Sequence, residues 1–202
     1  MSPRVLTVGH STQSLEEFLS LLSPNGVTVI ADVRSTPFSR FTPYFNRDVL
    51  RAALVRRGIG YVFLGNELGA RSEDKNCYVQ GRVQYSLLAK TSLFQAGIDR
   101  VILGAATERI ALMCAEKDPL DCHRTILISR SLVACGIGVD HILANGSIES
   151  HAAAMDRLLE KFDLQAPNLF CSSDELIADA LLRQEERIAY VDAEMSSVGR
   201  VS

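Results

Sequence analysis

The sequence lacks a long apolar run, and this absence excludes helical membrane proteins from the start. No run reaches the roughly 20 apolar residues that a helix needs to cross a bilayer. The first residues, MSPRVLTVGHST, also lack the charged region and long apolar stretch of an export signal. We therefore expect a cytoplasmic protein that does not act at a membrane.

An excess of positive charge is missing as well. The chain has 21 Lys and Arg residues against 24 Asp and Glu residues, which gives a formal net charge of −3. This balance gives the whole protein no attraction to a polyanion. The expected partner is therefore a small anionic ligand or a nucleotide, and nucleic acid is disfavoured unless the surface carries a local basic patch.

The cysteines do not form the even, regularly spaced set of a disulfide framework. They number five and stand at Cys77, Cys114, Cys122, Cys135 and Cys171. A chain of 202 residues with 47% hydrophobic residues can build a core without covalent links, so we expect reduced thiols. Apolar neighbours predict that Cys114 and Cys135 are buried, and we assign Cys135 wholly to the core.

The sequence does contain a strand followed by a helix, and it does so five times. The strands are continuous apolar runs, which is typical of a parallel sheet covered on both faces. We predict a Rossmann-like three-layer α/β/α sandwich with a mainly parallel sheet of about five strands. The pairs are RVLTV with SLEEFLSLL, VTVIADV with RDVLRAALVRRG, GYVFL with the region near VQYSLLAKTSLFQAGIDRVI, RIALMC with HRTILISRSLVACG, and VDHIL with IESHAAAMDRLLEKF.

Local signals support these helix boundaries. Ser14 and Glu17 match a capping box, in which each residue satisfies the backbone N–H of the other. Gly58 and Gly136 follow helices at points where a left-handed backbone is needed. The predicted helices therefore have defined starts and ends.

The pattern changes after residue 163. Residues 1–163 form the predicted α/β domain, and residues 164–202 form a linker with Pro167, a C-terminal amphipathic helix over DELIADALLRQEERIAYV, and a flexible end. The apolar face of this helix could dock on its own domain or on a second copy, which would give a homodimer.

Polar residues follow four of the predicted strands. In an open parallel sheet, the loops at the carboxyl ends of the strands meet at one edge, where ligands bind. We therefore expect the site at this edge. The candidate catalytic residues are Asp32, Glu116, Cys122 and His123, and the candidate ligand-binding residues are His10, Ser11, Arg34, Asn46, Glu67, Arg71, Cys114 and Arg124.

The loop CAEKDPLDCHR at 114–124 concentrates the most reactive groups. Cys122 opens a predicted helix, where the N–H groups and the helix dipole should lower its pKa. The same helix end would let Arg124 hold a phosphate or carboxylate. This favours an anion site, and the leading hypothesis is an enzyme in which arginines grip an acidic group while a carboxylate or imidazole moves a proton. The residues for this are Arg34, Arg71 and Arg124 with Asp32, Glu116 and His123.

Other chemistries stay open at this point. Cys114, Cys122 and His123, with Glu116 or Asp32, are plausible zinc or iron ligands, although Cys-x₇-Cys-His lacks the paired short spacing of structural zinc sites. Cys122 beside His123 could also be a thiol nucleophile, although adjacent helical residues point about 100° apart. A non-catalytic nucleotide-binding or nucleic-acid-binding module and a purely structural cluster complete the alternatives.

The loop after the second strand is long, aromatic and punctuated by proline. It contains Phe38, Phe41, Tyr44 and Phe45, with Arg40 and Arg47 nearby. These groups could stack on a base and contact phosphates, which would make the loop a lid or substrate wall. Packing of the loop against the domain explains the aromatic residues equally well.

Three motifs occur in order along the chain: GHS at 9–11, DVR at 32–34 and CAEKDPLDCHR at 114–124. With FN at 45–46, ELG at 67–69 and HILANG at 141–146, the chain resembles the family called domain of unknown function 488 over roughly residues 4–150. The resemblance implies a compact α/β domain of intracellular, bacterial-type proteins and carries no settled activity. The chain departs from the family pattern at Gly69-Ala70-Arg71, where relatives often have a second glycine and a further arginine.

Overall fold

The computed structural model describes residues 3–165 and 171–197. Among these residues, six strands form one sheet and two form a small antiparallel hairpin. In chain order the strands are β1 (Arg4–Gly9), β2 (Val29–Asp32), β3 (Gly60–Phe63), β4 (Tyr78–Val79), β5 (Arg82–Val83), β6 (Ile110–Cys114), β7 (Gly138–Ile142) and β8 (Ile148–Ser150).

The helices follow the strands as the alternating pattern predicts. Over the same described ranges they are α1 (Leu15–Leu22), α2 (Arg47–Arg56), α3 (Gly65–Leu68), α4 (Tyr85–Leu88), α5 (Ser92–Gly104), α6 (Arg130–Ala134), α7 (His151–Lys161), α8 (Ser173–Ile188) and α9 (Ala193–Ser197). A π-helical segment, Arg124–Ser129, runs directly into α6.

The large sheet has the order β3-β2-β6-β1-β7-β8, and every pair is parallel except β7 with β8. The three-layer α/β/α fold is therefore confirmed. The sixth strand is a departure, because the sequence predicts that the helix begins at Ile148. Ile148 instead pairs with Ile142 across a tight turn that contains left-handed Gly146, and Ser150 caps the helix at its true start.

Alternate residues of the strands face two helical layers. In β6, Ala111 and Met113 pack with α1 and α2, whereas Leu112 and Cys114 pack on the face covered by α5, α6, α7 and α8. Burial of each Leu or Phe in these layers stabilises the fold by about 1.5–3 kcal/mol. Cys114 thus ends its strand on the α5–α8 side of the sheet.

The predicted helix ends are confirmed at three places. The Ser14 N–H donates to Glu17 Oε2 at 2.7 Å, and the Glu17 N–H donates to Ser14 Oγ at 3.2 Å. Gly58 and Gly136 both have left-handed backbones, with φ of 71° and 80°. Cys135 is a correction, because it is exposed and not in the core. It lies at the C-terminal cap of α6, just before Gly136, and this helix end faces outward.

The predicted C-terminal helix is present as α8, but it ends at Ile188 and not at the predicted Val191, which pairs with Arg82 in a β-bridge. Ala180 and Leu181 are buried against the α/β core, and Gln184 Nε2 donates to Leu120 O at 2.9 Å. The helix therefore contacts its own chain. Leu182 on the same helix is exposed, and dimerisation through this helix stays a prediction. Pro167 and the predicted flexible end beyond residue 197 lie outside the described residues. Across the described ranges we find no helix with the length and hydrophobicity to span a bilayer.

Candidate functional site

The three central strands of the sheet bring their carboxyl ends together. Gly9 at the end of β1 pairs with Cys114 at the end of β6, and Asp32 at the end of β2 pairs with Met113. The loops stay joined beyond the strands, because the N–H of His10 donates to Cys114 O at 3.0 Å. The motifs GHS, DVR and CAEKDPLDCHR therefore lie side by side at this edge.

The loop after β6 turns back on itself, which returns Cys122 to Cys114. Asp118 starts the turn by accepting from the Leu120 N–H at 2.8 Å. Arg157 of α7 pairs with the same carboxylate at 2.8 Å, so the turn is anchored to the α/β core. The hydrogen bond from Arg157 to Glu149 and its bond to Asp118 together raise the pKa of Arg157, so this anchor stays charged.

Four potential ligand atoms meet at this turn. His123 Nδ1 lies 3.7 Å from Cys114 Sγ and 3.8 Å from Cys122 Sγ, and Glu116 Oε2 lies 3.0 Å from Cys122 Sγ. All four atoms lie within 4.8 Å of one another. The two cysteines and the histidine are buried, and Glu116 is the exposed member. These four side chains, Cys114, Glu116, Cys122 and His123, could hold a metal ion, and we call them the metal-ligand cluster.

The imidazole of His123 is oriented by a backbone carbonyl. His123 Nε2 lies 3.1 Å from Val33 O, which can only accept a hydrogen bond. In the neutral imidazole, Nε2 therefore carries the hydrogen, and the lone pair of Nδ1 points toward the two sulfur atoms. A backbone carbonyl that accepts a hydrogen bond from the second ring nitrogen is typical of histidines that bind metals.

The two thiols have opposite pKa shifts. A hydrogen bond to Cys122, together with burial, raises the pKa of Cys114 well above its ordinary value. Burial opposes ionisation of Cys122 too, but the hydrogen bond from Cys114 and the charges of Arg124 and His123 lower its pKa well below the usual range. The negative charge of the cluster therefore lies on Cys122.

The two other members respond to that charge. Burial disfavours the cationic form of His123, yet the Cys122 thiolate outweighs burial and raises the pKa of His123. Glu116 is exposed as a residue, but its carboxylate lies inward beside Cys122, so burial and the thiolate raise its pKa.

A cavity of about 240 Å³ opens onto this cluster. Its lining includes six of the predicted site residues, namely Arg34, Arg71, Cys114, Glu116, Cys122 and His123. Its other walls are Ser35, Thr36, Ala70, Tyr85, Ala115, Asp121, Ile188 and Tyr190. The cluster is therefore accessible to a small ligand.

Tyr190 is the wall that the sequence does not predict. The segment after α8 adds to the small hairpin, because the Val83 N–H donates to Tyr190 O at 3.0 Å. The guanidinium of Arg71 then lies 4.6 Å from the centre of the Tyr190 ring. Tyr85 lies opposite the cluster, and burial and the charge of Cys122 raise its pKa. For Tyr85 the sequence does offer a signal, because the loop after β3 is long and polar and carries this tyrosine near its end.

Asp32 and Arg34 form a second cluster, in which hydrogen bonds already occupy the carboxylate oxygens. Arg34 Nη2 donates to Asp32 Oδ2 at 2.6 Å and to Phe45 O at 2.9 Å, and Arg34 Nε donates to Asp32 Oδ1 at 2.9 Å. The Tyr61 hydroxyl donates to Asp32 Oδ2 at 2.7 Å. Burial opposes the charge of Arg34, but Asp32 raises its pKa. Asp32 therefore acts as a buried counter-ion and does not line the cavity.

His10 belongs to this second cluster as well. Its Nδ1 lies 2.9 Å from Ser11 O and its Nε2 lies 3.3 Å from Arg34 Nη1, so the neutral ring donates through Nδ1 and accepts through Nε2. The ring stacks on Phe45 at 4.1 Å, and burial lowers the pKa of His10 to about 4. Ser11 contributes a left-handed turn with φ of 49°.

Arg124 is fully buried behind the metal-ligand cluster. Its Nη1 donates to Glu116 O at 2.8 Å and its Nη2 donates to Lys117 O at 3.2 Å. It forms no ion pair within residues 3–165 and 171–197, and its Nε has no hydrogen-bond partner there. Gly9 makes room for this packing, since an added Cβ would lie 1.9 Å from Glu116 O. Arg124 thus supports the loop and does not reach the cavity.

A comparison with protein families identifies the chain. The sequence profile of the family described as Domain of unknown function DUF488 matches residues 14–131, which is more than half of the sequence. The chain belongs to this family. No curated protein and no solved structure matches the chain. The match includes DVR and the whole CAEKDPLDCHR loop, so the metal-ligand cluster lies inside the DUF488 domain.

Two other predicted residues of the DUF488 domain do not line the cavity. Asn46 Oδ1 accepts from the Ser39 N–H at 2.7 Å, which holds the aromatic loop in place. Glu67 pairs with Arg100, and it lines a neighbouring depression that shares Ser35 and Arg71 with the cavity. The first residue supports the loop, and the second lies next to the cavity without lining it.

Proposed function

We propose that the chain is a metal-dependent enzyme that acts on an anionic ligand. The metal is one zinc ion, or an ion of similar preference such as iron, bound by Cys114, Cys122 and His123 beside Glu116. The observation that carries this proposal is the meeting of two sulfur atoms, one imidazole nitrogen and one carboxylate oxygen within 4.8 Å.

The distances between these atoms suit a tetrahedral ion. Zinc binds sulfur at about 2.3 Å and nitrogen at about 2.0–2.1 Å, and at a tetrahedral angle these lengths put sulfur and nitrogen about 3.5 Å apart. The two sulfur–nitrogen distances to His123 are 3.7 and 3.8 Å. Only small movements are needed to accept the ion. Thiolate and imidazole ligands favour zinc or iron over magnesium or calcium.

The charge around the cluster supports the same assignment. Two thiolates, one carboxylate and one divalent cation carry a net charge of −1. Arg124 places one buried positive charge directly behind them, near enough to lower the pKa of Cys122. A buried cation is costly unless an opposite charge is close. The loaded cluster would supply that charge.

The exposure of Glu116 favours catalysis over a structural role. Structural zinc sites are closed by four protein ligands, whereas catalytic sites keep a position for water. Cys114, Cys122 and His123 are buried, but Glu116 lies at the mouth of the cavity. A bound zinc ion would lower the pKa of a water molecule to near neutrality. Glu116 is then placed to accept a proton, as carboxylates beside such sites do.

Arg71 is the residue that best accounts for an anionic ligand. The leading sequence hypothesis needs three arginines, but Arg34 and Arg124 are engaged by Asp32 and by backbone carbonyls. Arg71 lines the cavity, and over the described part of the chain its guanidinium contacts the Tyr190 ring without forming an ion pair. The cavity of about 240 Å³ suits one phosphate or one base, since pockets for drug-sized ligands begin at about 300 Å³.

The first test is elemental analysis of protein purified under reducing conditions. We expect one zinc ion per chain, removable by a chelator and restored by zinc. Cys122→Ser should lose the metal, whereas Cys135→Ser, a change at an exposed cysteine outside the cluster, should keep it. Protein that carries no metal and takes up none from zinc solutions would contradict the proposal and favour a thiol nucleophile at Cys122.

The second test separates an enzyme from a binding module. Zinc-loaded protein is screened for hydrolysis of phosphorylated and other anionic compounds, with Glu116→Gln as the paired variant. We expect turnover that Glu116→Gln removes while the metal content stays near one ion. Ligand binding without turnover by either protein would support the non-catalytic module.

A further inference from the structure

Basic residues are concentrated in one part of the chain. Residues 34–57 contain six of the 21 basic residues and, as their single acidic residue, Asp48. Arg34 is buried against Asp32, and Arg57 pairs with Glu16. The other four arginines still give this segment an excess of positive charge on a chain whose net charge is −3. A positive region of this kind can bind a polyanion even where the overall charge does not.

The same segment exposes aromatic rings. Phe41 is 83% exposed and Phe38 is 69% exposed, whereas Phe45 is fully buried and anchors the loop in the core. The sequence leaves open whether these rings pack down or face outward, and the structure divides them. Arg40 lies over the Phe41 ring at 5.3 Å. Two exposed phenylalanine rings three residues apart in one loop are apolar surface of the kind that marks a binding site.

The exposed rings stand on a loop that is held in place. The Arg47 N–H donates to Pro37 O at 3.0 Å, and the Ser39 N–H donates to Asn46 Oδ1 at 2.7 Å. These bonds tie both sides of Phe38 to the start of α2. A loop fixed in this way loses little conformational entropy when a ligand binds.

A cationic groove lies beside this loop, between α2 and the edge strand β3. Arg47 and Arg51 line it with Arg100, and its volume is about 460 Å³. The guanidinium of Arg47 lies 4.8 Å from the centre of the Phe63 ring, which forms part of the floor. Glu67 pairs with Arg100, so Arg47 and Arg51 carry the excess positive charge.

We propose that the basic–aromatic surface, defined as Phe38, Arg40, Phe41, Arg47 and Arg51, binds single-stranded nucleic acid. Arginines can contact the phosphates, and exposed phenylalanine rings can stack on unpaired bases. In a duplex the bases are already stacked on one another, so they cannot stack on the phenylalanine rings. An acidic peptide could pair with the arginines but has no bases to stack on the rings. This inference goes beyond the proposed function, because it stands on other residues and does not require the metal.

The surface also leads toward the cavity. The loop that carries Phe38 and Phe41 begins at residues 34–36, which line the cavity next to the metal-ligand cluster. A strand held on the surface could therefore place a terminal phosphate or base near Arg71. This continuity makes nucleic acid a candidate substrate as well as a partner.

The test is fluorescence anisotropy with labelled 20-mers of deoxythymidine and of uridine, across a salt series. We expect tighter binding of single strands than of a duplex of equal length. Arg47→Gln/Arg51→Gln should weaken binding about tenfold or more and reduce the salt slope by about 1.4, since each phosphate contact contributes about 0.7 for single strands. Phe38→Ala/Phe41→Ala should weaken binding about tenfold or more with an unchanged salt slope.

Controls separate this surface from general charge. Arg183→Gln/Arg187→Gln on α8 and Leu103→Ala on α5 remove exposed groups elsewhere and should leave affinity within about twofold. Equal losses in these controls, equal binding of duplex, or equal competition by polyglutamate would overturn the inference. Absence of binding at 50 mM salt would overturn it as well. Binding is measured with and without zinc, so the nucleic-acid result can be interpreted even if the chain binds no metal.

Discussion

The two polar clusters at the carboxyl edge of the sheet differ in how completely their atoms are satisfied. In the Asp32–Arg34 cluster, the Asp32 carboxylate accepts hydrogen bonds from Arg34 and Tyr61, and its negative charge balances the positive charge of Arg34. In the metal-ligand cluster, the two sulfur atoms, the imidazole nitrogen and the carboxylate oxygen are all potential ligands of a metal ion. The first cluster is neutral by itself, whereas the second brings together four atoms that could bind a metal ion.

This difference separates the residues that support the site from those that we propose for its chemistry. Both clusters contain residue types that catalyse reactions, so residue type alone does not separate them. Four potential ligand atoms within 4.8 Å of one another distinguish the metal-ligand cluster. A saturated carboxylate has no free position for a substrate proton, and this places Asp32 in the supporting role.

Removal of Asp32 should have the largest effect on stability. Asp32→Ala leaves Arg34 as a buried charge without its counter-ion, so we expect a loss of about 3–5 kcal/mol in the free energy of unfolding. Urea denaturation measures it. Asp99→Ala on the exposed face of α5 should change stability by less than about 0.5 kcal/mol. If Asp32→Ala were as mild as that control, the two clusters would not differ as we describe.

Zinc should stabilise the folded chain by a smaller amount. Binding to the folded state alone adds about 2.7 kcal/mol when the free ion is at 100 times its Kd. Thermal unfolding of chelator-treated protein, with and without zinc, measures the gain. Cys122→Ser should lose this gain and Cys135→Ser should retain it, whereas an equal response in both would place the ion elsewhere.

The buried imidazole of His141, outside both clusters, should make the stability of the fold depend on pH. His141 accepts or shares a hydrogen with Thr7 at 2.8 Å and lies 3.3 Å from His151. Burial, with the charges of His151, Arg124 and Arg157, lowers the pKa of His141 from 6.5 to about 3, against a small opposing effect of Asp118. The unfolded chain therefore binds a proton below pH 6.5 that the folded chain does not bind until about pH 3.

The sign follows directly, since this stability is present above pH 6.5 and is lost as the pH falls. Between pH 6.5 and 5 we expect His141 to account for a loss of about 2 kcal/mol. His141→Gln should show a shallower decline in urea denaturation over that range. A decline as steep as that of the parent chain would mean that His141 does not control it.

The smallest predicted effect concerns Tyr61. Tyr61→Phe removes one hydrogen bond to Asp32 but leaves the ion pair with Arg34 in place. We expect a loss of about 1 kcal/mol, as for a typical buried hydrogen bond. Tyr44→Phe, close by in sequence to the loop anchor Phe45, serves as the control in the same unfolding experiment. A loss as large as that of Asp32→Ala would show that the hydroxyl, and not Arg34, stabilises the carboxylate.

Much of the fold could be predicted because hydrophobic periodicity directly reflects burial. The five parallel strands appear in the sequence as apolar runs, but β8 has only three residues and merges with the helical pattern that follows it. The metal-ligand cluster could be located because Cys114, Glu116, Cys122 and His123 share one loop. Its cavity could not, because Tyr190 reaches it from the segment after α8, whose docking position has no sequence signal.

The roles of the arginines were beyond prediction for a related reason. Arg34 and Arg124 donate to Phe45 O, Glu116 O and Lys117 O, and a backbone carbonyl leaves no trace in the residue type. From sequence alone, a cation at a strand end or helix start looks like an anion site. Only the positions of the carbonyls show that both guanidinium groups are already engaged.

The most direct test of the metal-ligand cluster is X-ray absorption spectroscopy at the zinc edge of the loaded protein. We predict two sulfur neighbours at about 2.3 Å and nitrogen or oxygen neighbours at about 2.0–2.1 Å. Cys122→Ser should lower the sulfur count or abolish the bound signal. A zinc ion surrounded by nitrogen and oxygen alone would contradict the assignment of Cys114 and Cys122 as its ligands.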